Sequence, residues 1–269
     1  MHTFLQDFRY AVRMLCKNLG LTSVIIGSLA IGIGANTAIF SVVDALLLHP
    51  LAYPHSELLA NIWLHSPSIG IFMDWPSPGQ YIDLQQQNHS FEQMAIAQSR
   101  QAILTGLEQP ERLDCLRTQS TLLQMLGAKA LLGRTFLPEE DAPGQPQVVV
   151  LSYRTWQRSF NSDPSIVGKS ITLNGNAVTV VGVLQPDFRL NAEVMPSEGP
   201  MDKIDIFQPF PLGPDAAQNR GDENYNIVVR LKPGVSMKQA QADVDIIAAR
   251  IREKDKRDAS FGMHIVGLQ

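Results

Sequence analysis

From Asn18 to Val43 the chain runs for 26 residues without an ionisable side chain, and it stays apolar to Leu48 past the single Asp44. At about 1.5 Å per residue such a run makes a helix of roughly 39 Å, enough to cross a ~30 Å hydrocarbon core with some tilt. A cleaved secretory signal has an apolar core of only about 7–15 residues and ends on a small-residue cleavage region, which this run lacks. A buried helix of a soluble domain would show a polar face, whereas only Thr, Ser and Asn interrupt the apolar residues here. Residues 19–43 are therefore expected to form one transmembrane helix.

Charge gives that helix a direction. Arg9, Arg13 and Lys17 precede it, and no Lys or Arg follows until Arg100. Positive charge gathers on the cytoplasmic side of a span, so the N-terminus is expected in the cytoplasm and the main domain in the periplasm, outside an inner membrane. The whole chain has 22 Lys and Arg against 26 Asp and Glu. With no basic excess, nucleic acid is not expected as a partner. Residues 1–18 are expected to be a cytoplasmic amphipathic segment, with Phe4, Leu5, Phe8, Val12 and Leu15 on one helical face and the three cations at four-residue spacing.

Within the span, small residues recur on one stripe: Ser23, Gly27, Ala30, Gly34 and Ala38. Such stripes let helices approach closely in lipid, where packing drives association. This face is expected to meet partner helices that the chain itself does not supply.

The remainder, 44–269, reads as a mixed α/β domain. Strands are expected at Leu58–Leu64, Arg112–Thr118, Val148–Leu151, near Ile204–Phe207, at Tyr225–Leu231 and at Met263–Val266. Ile171–Val183 flanks Asn174-Gly175, a strong hairpin signal. Helices are expected over Ser77–Gln87, before Gly127 and after Ser152. A further one starts at Ser236, where Gln239 completes a capping box and Ala240, Val244, Ile247 and Ile251 make an apolar face. The fold class is α+β: one N-terminal transmembrane helix, then a periplasmic mixed domain with a strand-rich subdomain inserted into it.

No chemistry stands out. Gly168-Lys169-Ser170 looks like the end of a phosphate-binding loop, but Asp163 stands where the first Gly is needed, and the triplet leads into a strand. The six His residues make no metal motif, and there is no Gly-x-Ser-x-Gly elbow. The acidic pairs Asp202/Asp205 and Asp243/Asp245 read as solvated carboxylates. Cys16 and Cys115 fall on opposite sides of the span and are expected as free thiols. Neither a catalytic residue, a metal site nor a cofactor is expected.

Seven runs in order carry a family resemblance. Phe4–Ala11 (FLQDFRYA) leads into Ala30–Ser41 (AIGIGANTAIFS), then Leu132–Phe136 (LGRTF), Leu151–Arg158 (LSYRTWQR) and Asp163–Gly168 (DPSIVG). Leu173-Asn174-Gly175 with Val180–Val183, and Arg230–Val235 (RLKPGV), complete the series. Together they resemble the N-terminal portion of MacB/FtsX-like ABC-transporter permeases, in the branch called acidobacterial duplicated orphan permeases.

The resemblance implies a first transmembrane helix and a MacB-like periplasmic core domain with a βαβ-based part and a strand-containing insertion. It also implies a separate cytoplasmic ABC ATPase as partner, efflux by mechanotransmission, and either further permease helices or a second permease copy. On that reading the chain is a non-catalytic, truncated part of the subunit. Two other classes stay open: a membrane-anchored periplasmic binding or sensory domain that needs no ATPase, and an anchored hydrolase, for which no nucleophile constellation is present.

Overall fold

The computed structural model describes residues 10, 13–14, 17–43, 53–107, 109–196, 204–255 and 260–268. The chain divides into two compact units, Met1–Pro50 and Leu51–Gln269.

In the first unit the apolar segment is one continuous helix, α1 (Leu19–Val43), with no acidic residue in its first turn and no basic residue in its last. Among the described residues no helix is long and apolar enough to cross a membrane. The side chains of Leu21, Ala38, Ile39 and residues 41–43 fall outside that set, as do Cys16 and the apolar face of the N-terminal segment (Phe4, Leu5, Phe8, Val12, Leu15).

The second unit opens with β1 (Leu59–Ser66), a short β2 (Ile71–Asp74), α2 (Pro78–Gln87), β3 (Phe91–Thr105) and β4 (Glu111–Thr118). There follow α3 (Ser120–Met125), β5 (Ala130–Gly133), β6 (Val148–Leu151), α4 (Tyr153–Phe160), β7 (Ser170–Leu173), β8 (Asn176–Leu184) and β9 (Ile206–Pro209). The chain then returns through β10 (Asn226–Leu231), α5 (Met237–Lys254) and β11 (Gly262–Gly267).

Two assemblies share one strand. β1, β3, β10 and β11 make an antiparallel sheet in the order β11-β1-β10-β3, with α2 and α5 as its crossover helices. Everything between β3 and β10 is an insertion. Its strands close on β3: β3 pairs with β4, β4 with β9, β9 with β6, β6 with β8, β8 with β7, and β7 with β3 again. The strand-rich insertion expected from the sequence is thus a closed ring, and ring closure removes the exposed edges that an open sheet would offer.

β3 is the hinge pin of this arrangement. Its first part pairs with β10 (Phe91↔Leu231 to Ala97↔Asn226), and its second part pairs with β4 (Ala97↔Thr118 to Leu104↔Glu111). The sequence signal for this longest strand is poor, since Ala, Gln and Ser outnumber its β-branched residues. Pairing on both assemblies and burial on both faces supply what propensity does not.

Three apolar clusters follow from strand alternation. Ile62, Leu64, Ile96, Ile227 and Val229 face α2 and α5, where Ala240, Val244, Ile247 and Ile251 meet them as the helical spacing predicts. Ala102, Leu104, Leu113, Cys115, Val149, Val180 and Ile206 fill the ring. Leu59, Ala95, Ala97, Val228, Leu116 and Phe207 pack on the opposite face against α3 and the 190–195 segment.

Local chemistry sets the ends of these elements. Ser77 and Ser236 each cap a helix reciprocally with the Gln three residues on. Asn174 and Gly175 both take positive φ (51° and 81°), as a tight hairpin turn requires. Arg230, 8 % exposed, donates to the carbonyls of Met125 (2.6 Å) and His55 (3.4 Å). It thereby places a cation at the C-terminal end of α3, where the helix dipole favours it.

Two stability measurements check this packing. A Cβ on Gly182 would lie 2.1 Å from the Arg134 carbonyl oxygen, so Gly182→Ala is expected to cost about 1–3 kcal/mol, seen as a lower urea midpoint. The Tyr53 hydroxyl donates to Arg189 O and accepts from Asn191 N–H, both at 2.8 Å, and burial pushes its pKa from 10.0 up to about 12. The fold therefore favours the neutral phenol, and this contribution is complete below pH 10 and lost as pH rises through 12. Unfolding free energy measured over that window should decline less steeply for Tyr53→Phe than for the parent.

Candidate functional site

Strand alternation gives the ring an inside with two chemistries. Along β3 the residues Gln98, Arg100, Ala102 and Leu104 share one face, and along β4 so do Leu113, Cys115 and Arg117. The register aligns Arg100 with Cys115, Gln98 with Arg117, and Arg117 with Gln208 of β9. The apolar members of these rows lie in the ring's core. The polar members crowd one mouth, a cleft of about 380 Å³ lined by Arg100, Arg117, Gln147, Asn174, Asn176 and Gln208 among others.

The opposite end is closed. Trp156 of α4 joins the ring core, and its indole donates to Asp163 O at 2.9 Å. Arg158, one helical position pair further on, bridges Glu111 (2.6 Å) at the start of β4 and Asp205 (3.0 Å) just before β9. Asp205 also accepts from Thr155 Oγ1 and from Asp114 N–H, both at 3.0 Å. This corrects the reading of Asp205 as a solvated carboxylate: it is 8 % exposed and fully engaged. Loop composition around it hid a partner 47 residues away. Asp202 lies outside the described residues. Asp243 accepts from the backbone of His89 and Ser90, and Asp245 from Gln241.

At the mouth, Arg117 lies with its guanidinium carbon 4.8 Å from the Phe210 ring centroid. Phe210 in turn stacks on Tyr225 at 5.5 Å and 17°. Arg100 Nε donates to Gln98 Oε1 at 3.1 Å. Glu140 also lines the cleft, but Arg134 holds it through two bonds of 2.9 and 2.7 Å. Asp222 accepts from Asn224 and Tyr225 (2.7 and 2.8 Å), which hold its carboxyl below the usual range, helped by the field of Arg100.

Other sequence features take structural work. Lys169 pairs with Asp163 (3.1 Å) and Ser165 (2.6 Å), and Gly168-Lys169-Ser170 leads into β7, so the triplet serves a turn. Among the described residues no group of three or more His, Cys, Asp or Glu could hold a metal. The β1–β2 connection exposes Ile69, Phe72 and Met73, three apolar side chains on one hairpin.

On α1, Ser23, Gly27, Ala30 and Gly34 are exposed or half-exposed, and Ala38 has no described side chain. At about 100° per residue these positions fall within an arc of about 80°. A Cβ added at Gly27 or Gly34 would meet nothing within 4 Å.

A family model described as MacB-like periplasmic core domain matches residues 22–247. The chain belongs to this family, whose members are domains of MacB/FtsX-like ABC-transporter permeases. Solved structures share the MacB-like fold. A domain from Porphyromonas gingivalis assigned to a permease protein aligns with a TM-score of 0.60 at 18 % identity, over 81 % of this chain and 93 % of that one. The periplasmic region of MacB from Actinobacillus actinomycetemcomitans gives 0.55 at 14 %, covering 79 % and 89 %. The extracellular domain of the noncanonic ABC-type transporter YknZ from Gram-positive bacteria gives 0.53 at 14 %, covering 77 % and 99 %. No curated protein matches the chain.

Cys115 is the one nucleophile type in the cleft wall, and its environment disarms it. Burial pushes its thiol up to about 12, and the thiol donates to Gln208 Oε1 at 3.3 Å. In a Cys16→Ser chain a thiol-specific chromogenic reagent at neutral pH should therefore give no prompt colour, and one thiol per chain after denaturant is added.

Proposed function

We propose that this MacB-like domain is the periplasmic lever of an ABC exporter, carried on the first membrane helix of its permease subunit. In this reading α1 lies in the inner membrane with its N-terminus in the cytoplasm. Its 25 residues would reach ~37 Å. A separate cytoplasmic ABC ATPase supplies the energy, and the domain moves in response without catalysing anything itself. The stripe Ser23, Gly27, Ala30, Gly34 and Ala38 packs against the other permease helices or a second permease copy.

The observation that carries the reading is the path of the strands. Ala60 near the start of β1 pairs with Gly267 at the end of β11, so the chain reaches and leaves this sheet at one end. From that same sheet β3 runs unbroken into the inserted ring. A push on the β1 and β11 termini is thus delivered through continuous backbone hydrogen bonding to the far ring. The exposed hairpin at Ile69, Phe72 and Met73 follows the opposite end of β1, where a lever would meet its load.

The test is reconstitution. Co-expressed with candidate ABC ATPases, the full permease subunit should retain one of them through detergent purification, and ATP turnover should respond to the domain. Cross-linking the ring to the four-stranded sheet should leave both ATPase binding and transport intact, because the push already passes through an unbroken β3. Failure of every ATPase to co-purify would overturn the reading. Gly34→Leu should weaken assembly in the membrane while the domain keeps its unfolding midpoint.

A further inference from the structure

The ring's mouth holds two cations, Arg100 and Arg117, that have no described carboxylate partner. Among the described residues no carboxylate lies within 4 Å of Arg100 or Arg117, although the chain as a whole carries a net charge of −4. Elsewhere in this domain Arg134, Arg158 and Arg220 are ion-paired, whereas Arg189, Arg230 and Arg252 bond backbone carbonyls instead. The mouth pair is held in place instead by neutral groups, with Arg117 over Phe210 and Arg100 on Gln98 Oε1. Behind them Gln98 is 2 % exposed; its Oε1 accepts from Arg100, and its side chain also hydrogen-bonds Tyr225. Exposed Arg100 and half-buried Arg117 thus line the cleft with no described carboxylate on either guanidinium. They stand where a ligand would enter, since the mouths of β-barrels are a common place for binding sites.

We propose that this mouth binds a short acidic peptide, with one ligand carboxylate spanning Arg100 and Arg117. A guanidinium fork matches a carboxylate with two parallel hydrogen bonds. The rest of the rim names the class of ligand. Asn176 of β8, Gln208 of β9 and Gln147 just before β6 line the cleft, and side-chain amides offer both donor and acceptor, as a peptide backbone does. Pro146, Pro209 and Pro211 form walls that bring no competing N–H. The volume, about 380 Å³, is at the lower end of ligand pockets and gives room for about three residues of peptide. The field of Arg100 helps hold the Asp222 carboxyl below its usual range. This site stands whether or not the domain acts as a lever.

The experiment is isothermal titration calorimetry on the full chain in detergent, with three probes. One is an acetylated, amidated tripeptide with a single glutamate, the second has glutamine in its place, and the third is a uronic-acid disaccharide. The glutamate peptide should bind, its glutamine counterpart about tenfold or more weakly, and added salt should weaken the first selectively. Arg100→Gln and Arg117→Gln should each weaken the glutamate peptide by about tenfold. Arg117→Lys keeps the charge and loses the fork, so it should fall between. Should Arg117→Gln lower the thermal midpoint, Arg117→Lys and Gln208→Leu carry the comparison. Equal affinity for the two peptides, parental affinity in folded Arg variants, or no heat with the glutamate peptide would each overturn the proposal. Tighter binding of the disaccharide would also overturn it, assigning the mouth to acidic sugars.

Discussion

Ala97 of β3 pairs on one edge with Asn226 and on the other with Thr118. At that residue one strand passes from the four-stranded sheet into the ring, and most of the domain depends on the passage. The sheet needs β3 to cover β10, and the ring needs it to close between β4 and β7. The two assemblies therefore cannot separate without breaking main-chain hydrogen bonds that each of them requires. Domains joined by a flexible linker drift by default. Here the junction is the most heavily paired strand in the molecule.

Polar groups finish what the strand begins, and each does so where backbone or charge would otherwise be left open. Arg230 ties β10 to the end of α3 and to the His55 turn. Arg158 ties the base of α4 to β4 and β9 through Glu111 and Asp205. Both cations are spent on structure, while Arg100 and Arg117 line the cleft at the other end of the ring. The same alternation that fills the ring with Ala102, Cys115 and Ile206 forces Arg100, Arg117 and Gln208 to face inward two residues further along.

The family is a component of transporter permeases and not a classical catalytic enzyme. The chain's one cysteine among the described residues is buried, Asp205 is ion-paired and Asp243 accepts from the backbone at His89. What it offers instead is mechanical continuity between its terminal strands and its ring, together with an open polar mouth and an apolar hairpin. The chain is a member of the MacB-like periplasmic core domain family, a part of ABC-transporter permeases.

Much of this was legible in the amino-acid order. The charge-free run at 19–43, the Asn174-Gly175 hairpin, the capping boxes at Ser77 and Ser236 and the apolar face of α5 are set by interactions within a few residues, so local pattern was enough. The family runs pointed to the architecture for the same reason, each being a short local motif. Three things needed the tertiary structure. β3 has no strong strand signal because its stability comes from partners more than 100 residues away at β10. Asp205 looked solvated because Arg158 reaches it from another element. The mouth of the ring was invisible because Arg100, Arg117 and Gln208 meet only when three strands adopt one register, and register is decided by burial across the whole sheet.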